Sequence, residues 1–72
     1  MNPDPLVQLS PTSLEIVREP ERRAATKLSR VTWWRMERSG LAPKRLRLGA
    51  NSIGWLRHEI DAWIAQRAAA RA

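Results

Sequence analysis

The side chains best equipped for chemistry in this chain are its arginines and lysines, and the chemistry open to them is the holding of anions. Ten of the thirteen basic residues lie between Arg18 and Arg47, where only Glu19, Glu21 and Glu37 oppose them. That local surplus exceeds the net charge of +6 carried by the whole chain. Such crowding is the electrostatic footprint of a surface that meets nucleic acid. Arg30, Arg35 and Arg38 fall within one short segment, and Lys44, Arg45 and Arg47 form a second, alternating with Leu46 and Leu48. An arginine fork bonds bidentately to guanine or to phosphate, so both groups are candidates for contact with double-stranded DNA; a solvated basic surface is the plain alternative. Ser29 and Thr32 have no nearby base and acid to complete a nucleophilic triad, and the chain does not read as an enzyme. With no cysteine and His58 as its lone histidine, it offers neither a disulfide framework nor a closed metal site. No cofactor or small-molecule ligand is expected.

The elements that must position these side chains are short. Residues 1–13 hold Pro3, Pro5 and Pro11 and few large apolar groups, which predicts a flexible arm that cannot offset its ordering entropy by burial. A short strand is possible over Leu14–Val17. Pro20 suits the first turn of a helix running through Ala25. Ser29 is placed to cap a second helix, Arg30–Ser39, which ends at Gly40. On a helical wheel Trp33 and Met36 share the packing face, Glu37 and Arg30 border it, and Val31, Arg35 and Arg38 point away. Lys44–Leu48 alternates as a half-exposed strand does, with Arg45 and Arg47 outward and Leu46 and Leu48 packed. Gly49–Ser52 makes the turn, and Ile53 and Trp55 share a face of the returning strand. From about Arg57 a last helix carries Leu56, Ile60, Trp63 and Ile64 at helical spacing, with Glu59 and Asp61 in its first turn; its alanine-rich end, from Gln66, is expected to fray. The sum is a mainly α domain over residues 14–72 with a small β-hairpin, a winged helix-turn-helix.

Size and patterning agree with that architecture. A chain of 72 residues makes one domain and buries only about 60% of the surface it exposes when unfolded. Trp33, Trp55 and Trp63 fall on apolar faces and belong to the core. Trp34 does not, and stacking, packing on the wing and a dimer contact all remain open for it. His58 reads as a solvated first-turn residue. No apolar run approaches the roughly eighteen residues of a membrane helix, and the N-terminus lacks a signal-like core, so a cytoplasmic protein without a membrane partner is expected.

Taken in order, these segments resemble the AlpA family of phage-type transcriptional regulators, small relatives of MerR-like and excisionase winged-helix domains. The resemblance runs over roughly Arg18 to Arg67. Leu28-Ser29-Arg30-Val31-Thr32-Trp33-Trp34-Arg35 is similar to the family's recognition helix, Leu48-Gly49 to the end of its first wing strand, and Ile53-Gly54-Trp55 with Glu59-Ile60-Asp61-Ala62-Trp63-Ile64 to its later signature. Three positions depart from the pattern. Lys27 stands where the helix-turn-helix glycine is usual, Asn51 takes a wing-tip place that often carries arginine, and Trp34 replaces a tyrosine-like residue.

The resemblance implies a sequence-specific regulator of phage or mobile-element type. Ser29, Arg30, Val31, Thr32, Trp34, Arg35 and Arg38 would face the major groove, and Lys44, Arg45, Arg47 and Asn51 of the wing would lie along the backbone. Val31 is placed to meet a thymine methyl group. So small a reading surface, about 600–1,000 Å² for a single module, implies a dimer or cooperative multimer on DNA. An excisionase that bends DNA is the near alternative, and a protein-interaction adaptor is the alternative of another class.

Overall fold

In a computed structural model, which describes residues 14–71, the chain forms β1 (Ile16–Val17), α1 (Glu19–Thr26), α2 (Arg30–Arg38), β2 (Leu46–Gly49), β3 (Ser52–Leu56) and α3 (Arg57–Ala69). The arm expected over residues 1–13 lies outside the described residues. Three helices and an antiparallel hairpin make the small winged helix-turn-helix that the sequence predicts. The hairpin is extended by β1, giving a sheet of order β1-β3-β2. Ile16 pairs with Leu56 and Val17 with Trp55, so the strand ahead of α1 fastens the base of the wing.

Local rules account for the boundaries. Pro20 occupies the first turn of α1, where no N–H is needed. The helix ends at Lys27, which has φ 62° and donates its N–H to Arg23 O at 2.7 Å. The left-handed turn is therefore kept although a lysine occupies it, at a cost of about 1–2 kcal/mol relative to glycine. Ser29 caps α2, its Oγ accepting from Thr32 N–H at 3.2 Å. Gly54 has a different reason to be glycine: a Cβ there would lie 2.8 Å from Ile16 Cγ2 and 3.0 Å from Val17 O. The close pairing of β1 with β3 depends on its missing side chain.

The core is built around Val17, Trp33, Trp55 and Ile60, with Leu28, Ala42, Ile53, Trp63 and Ile64 packed on it. Trp33 stands edge-on to Trp55, ring centroids 6.5 Å apart, and to Trp63 at 5.0 Å, the arrangement favoured by aromatic quadrupoles. Trp63 Nε1 donates to Leu41 O at 2.8 Å, joining α3 to the segment that leaves α2. Of the three tryptophans expected in the core, Trp33 and Trp55 are buried and Trp63, half-buried, packs against them.

The structure departs from, or adds to, the sequence expectations in five places. Arg22 is fully buried. Its guanidinium donates to Leu28 O at 2.7 Å, to Thr26 Oγ1 at 3.2 Å and to both oxygens of Glu19, and it lies 5.0 Å from the Trp33 ring centroid. An arginine so fully paired can be enclosed without a bare charge. Glu37, placed at the border of the packing face, is 5% exposed. The first wing strand begins at Leu46 rather than Lys44 because the Arg45 N–H is taken by Glu37 Oε1 at 2.8 Å and leaves the ladder. Leu48 is 43% exposed instead of packed, since the register shifts between Arg47 and Gly49, and such a bulge breaks the simple in-out alternation. At the other end, the alanine-rich segment is helical through Ala69, in keeping with alanine's high helix propensity.

Candidate nucleic-acid interface

Helix α2 carries two sets of residues. Trp33 and Glu37, one turn apart, are buried. Val31, Trp34, Arg35 and Arg38 recur at three- and four-residue spacing on the solvent side, and all four are exposed. Val31 and Trp34 are 57% and 44% exposed, unusually open for large apolar groups on a small domain, and Arg38 lies over the Trp34 ring at 4.7 Å. That stacking gives the indole a cationic cover and holds it beside the helix. Arg30, the first residue of α2, is exposed as well. Thr32 is exposed, but its hydroxyl is engaged with Ser29, Oγ to Oγ1 at 3.0 Å.

The wing residues divide. Lys44, Arg47 and Asn51 are exposed, Asn51 at the turn between β2 and β3. Arg45 is only one-third exposed, and its guanidinium is held by Glu37, Nε at 3.1 Å and Nη2 at 2.6 Å from Oε2. Glu37 Oε1 also accepts from Trp55 Nε1 at 3.2 Å. One buried carboxylate thus fixes α2 against the segment entering β2 and against β3. Trp34 stands beside this joint. With Arg30, Val31 and Arg45 it lines a shallow cleft of about 250 Å³, and with Arg38, Lys44 and Arg45 an adjoining one of about 310 Å³.

The pairing sorts the charges by side. Of the acids among the basic residues, Glu19 is committed to Arg22 and Glu37 to Arg45. Arg30, Arg35, Arg38, Lys44 and Arg47 have no carboxylate partner among the described residues, so the outer surface keeps an uncompensated positive charge. His58 is exposed, and no group of three or more possible metal ligands occurs among the described residues. Among the described residues no helix is long and apolar enough to cross a membrane.

Reading the sequence alone missed Glu37, Arg22 and Arg18. Glu37 stood one turn after Trp33 on the packing face, a position at which a carboxylate signals a buried partner. For Arg22 the only hint was Glu19 three residues before it. Arg18, passed over as the lead-in to α1, lines the same cleft as Arg30 and Arg45.

A left-handed turn between two short helices, a serine-capped second helix and a two-stranded wing define a small winged helix-turn-helix protein with a basic outer face. Residues 15–68 match the family of the prophage CP4-57 regulatory protein AlpA, and the chain belongs to that family. It is also similar to the uncharacterized protein ORF88 of Enterobacteria phage P4, with 35% identity over 74 aligned positions covering 97% of this chain and 84% of that protein. No solved structure matches it.

Proposed function

We propose that this protein is a sequence-specific regulator that binds double-stranded DNA, of phage or mobile-element type, with α2 in the major groove and the β2–β3 wing on the adjacent phosphate strand. The observation that carries this reading is the division of α2 into a buried set, Trp33 and Glu37, and an exposed set, Val31, Trp34, Arg35 and Arg38. The exposed set has the donors and the apolar groups that read base edges and thymine methyls in a major groove, and the buried set holds the helix and wing as one body. Membership of a family named for a prophage regulatory protein supports the same conclusion. Regulation then follows from occupancy of a promoter.

Selection of binding sites from random duplexes with purified protein, followed by footprinting, is the test. A single enriched motif, protected at the major groove with flanking backbone contacts, is expected. Binding that never resolves into a footprint would overturn the reading in favour of an adaptor. Sharp bending of the selected site together with integrase-dependent excision would instead identify an excisionase.

A further inference from the structure

A second basic cleft, of about 160 Å³, opens between the start of α1, the start of α2 and the base of the wing, lined by Arg18, Glu19, Arg30, Trp33, Arg45 and Ile53, with Pro20 at its edge. We propose that it clamps one phosphate of the DNA backbone. The proposal rests on the DNA-binding reading above and adds Arg18, just ahead of α1, to the contacts of α2 and the wing.

Three arginines from three separate segments share this small space; Arg45 is balanced by Glu37, so the uncompensated charge comes from Arg18 and Arg30. The side chains of Arg18 and Arg30 are exposed and form no salt bridge among the described residues, although the Arg18 backbone N–H donates to Glu21 Oε1 at 3.3 Å. Arg45 spends Nε and Nη2 on Glu37, which orients the guanidinium, and Nη1 has no hydrogen bond among the described residues. The carboxylate in the lining, Glu19, is already committed to the buried Arg22. Trp33, 1% exposed, contributes only a buried floor. Arginine side chains are donors with no acceptor. The lining therefore offers donors and positive charge, which suits a phosphate oxyanion and repels a cation.

The position favours a phosphate belonging to DNA. Arg30 opens α2, and in helix-turn-helix proteins the N-terminal end of the second helix approaches the bases while the first helix crosses the backbone. Arg18 at the head of α1 and Arg30 at the head of α2 would meet the same strand, with Arg45 held rigidly between them and the wing.

Methylphosphonate replacement of single phosphates along the selected operator tests this. One position is expected at which neutralisation lowers wild-type affinity by about tenfold, the worth of a charge-assisted hydrogen bond. At that position Arg18→Ala and Arg30→Ala should each lose no more than about twofold, whereas Arg47→Ala should keep the full loss. Arg18→Gln serves as the second variant, and a thermal melt confirms that each is folded. A full loss in folded Arg18→Ala and Arg18→Gln would overturn the clamp and leave the DNA reading standing. A wild-type protein that selects no operator would overturn both. A soluble anion is the other source of phosphate: saturable quenching of tryptophan fluorescence by submillimolar inorganic phosphate, without DNA, would overturn the assignment to the backbone, and no quenching supports it.

Discussion

Trp55 and Glu37 are joined by a buried hydrogen bond, indole Nε1 donating to Oε1 at 3.2 Å, between residues 18 apart in sequence. The same oxygen accepts the Arg45 N–H, and Oε2 binds the Arg45 guanidinium. One carboxylate thus ties α2 to both segments of the wing, beside the Trp33–Trp55 packing.

Glu37→Ala should destabilise the fold by about 2–3 kcal/mol, because the Trp55 N–H loses its partner and the half-buried Arg45 its counter-charge. Glu37→Gln should cost less, keeping an acceptor while losing the charge. Urea unfolding followed by tryptophan fluorescence measures both, and a wild-type midpoint for the alanine variant would contradict the joint.

Lys27→Gly should stabilise the protein by about 0.5–1 kcal/mol. A lysine at φ 62° carries a steric cost that glycine escapes, partly offset by the greater freedom glycine gives the unfolded chain. A thermal midpoint that falls would show that the lysine side chain contributes a compensating contact.

Arg35→Ala should erase site preference without loss of fold. Arg35 is exposed on the outer face of α2, and a good bidentate base contact gives about 1–3 kcal/mol of discrimination. The ratio of specific to non-specific affinity is the measurement, and an unchanged ratio in the folded variant counts against a role in reading bases.

Arg47→Ala should weaken binding to all sequences alike and lower the log–log salt slope by about one, as expected when one phosphate contact is lost. Arg45→Ala should flatten the slope similarly and also lower stability, since its partner Glu37 is buried. Loss confined to one base position in Arg47→Ala, or equal stability in the two variants, would contradict this division.

Two or more copies should bind cooperatively to a natural operator, because a module of about 600–1,000 Å² reads too little sequence alone. Trp34 and the outer side of α3 are the candidate contacts. Stoichiometry by native mass spectrometry along a titration decides it, and tight, specific binding by one copy would refute it.

What was legible in the sequence was local. The Ser29 cap, Pro20 in its first turn, Gly40 after α2 and the turn between the wing strands each announce themselves within a few residues, and the periodic tryptophans disclose the core. What was hidden depended on partners far along the chain or on a burial that runs against residue type. Nothing near Ile16 and Val17 says that they pair with Leu56 and Trp55. The burial of Arg22, and the full enclosure of Glu37 from the border of the packing face, become tolerable only once Glu19, Leu28, Arg45 and Trp55 are in place. The exposed character of Leu48 followed from a bulge, which shifts register without any mark in the residue alternation.

Helix α2 interleaves its two sets of residues so that, on the proposed DNA-binding reading, stability and recognition rest on different side chains. Val31, Trp34, Arg35 and Arg38 make no hydrogen bond through their side chains to the core, whereas Trp33 and Glu37 anchor the helix from beneath. Substitutions in the outer set can accumulate at little thermodynamic cost, so a lineage of such proteins is free to change its target site by a few mutations while the scaffold stays fixed.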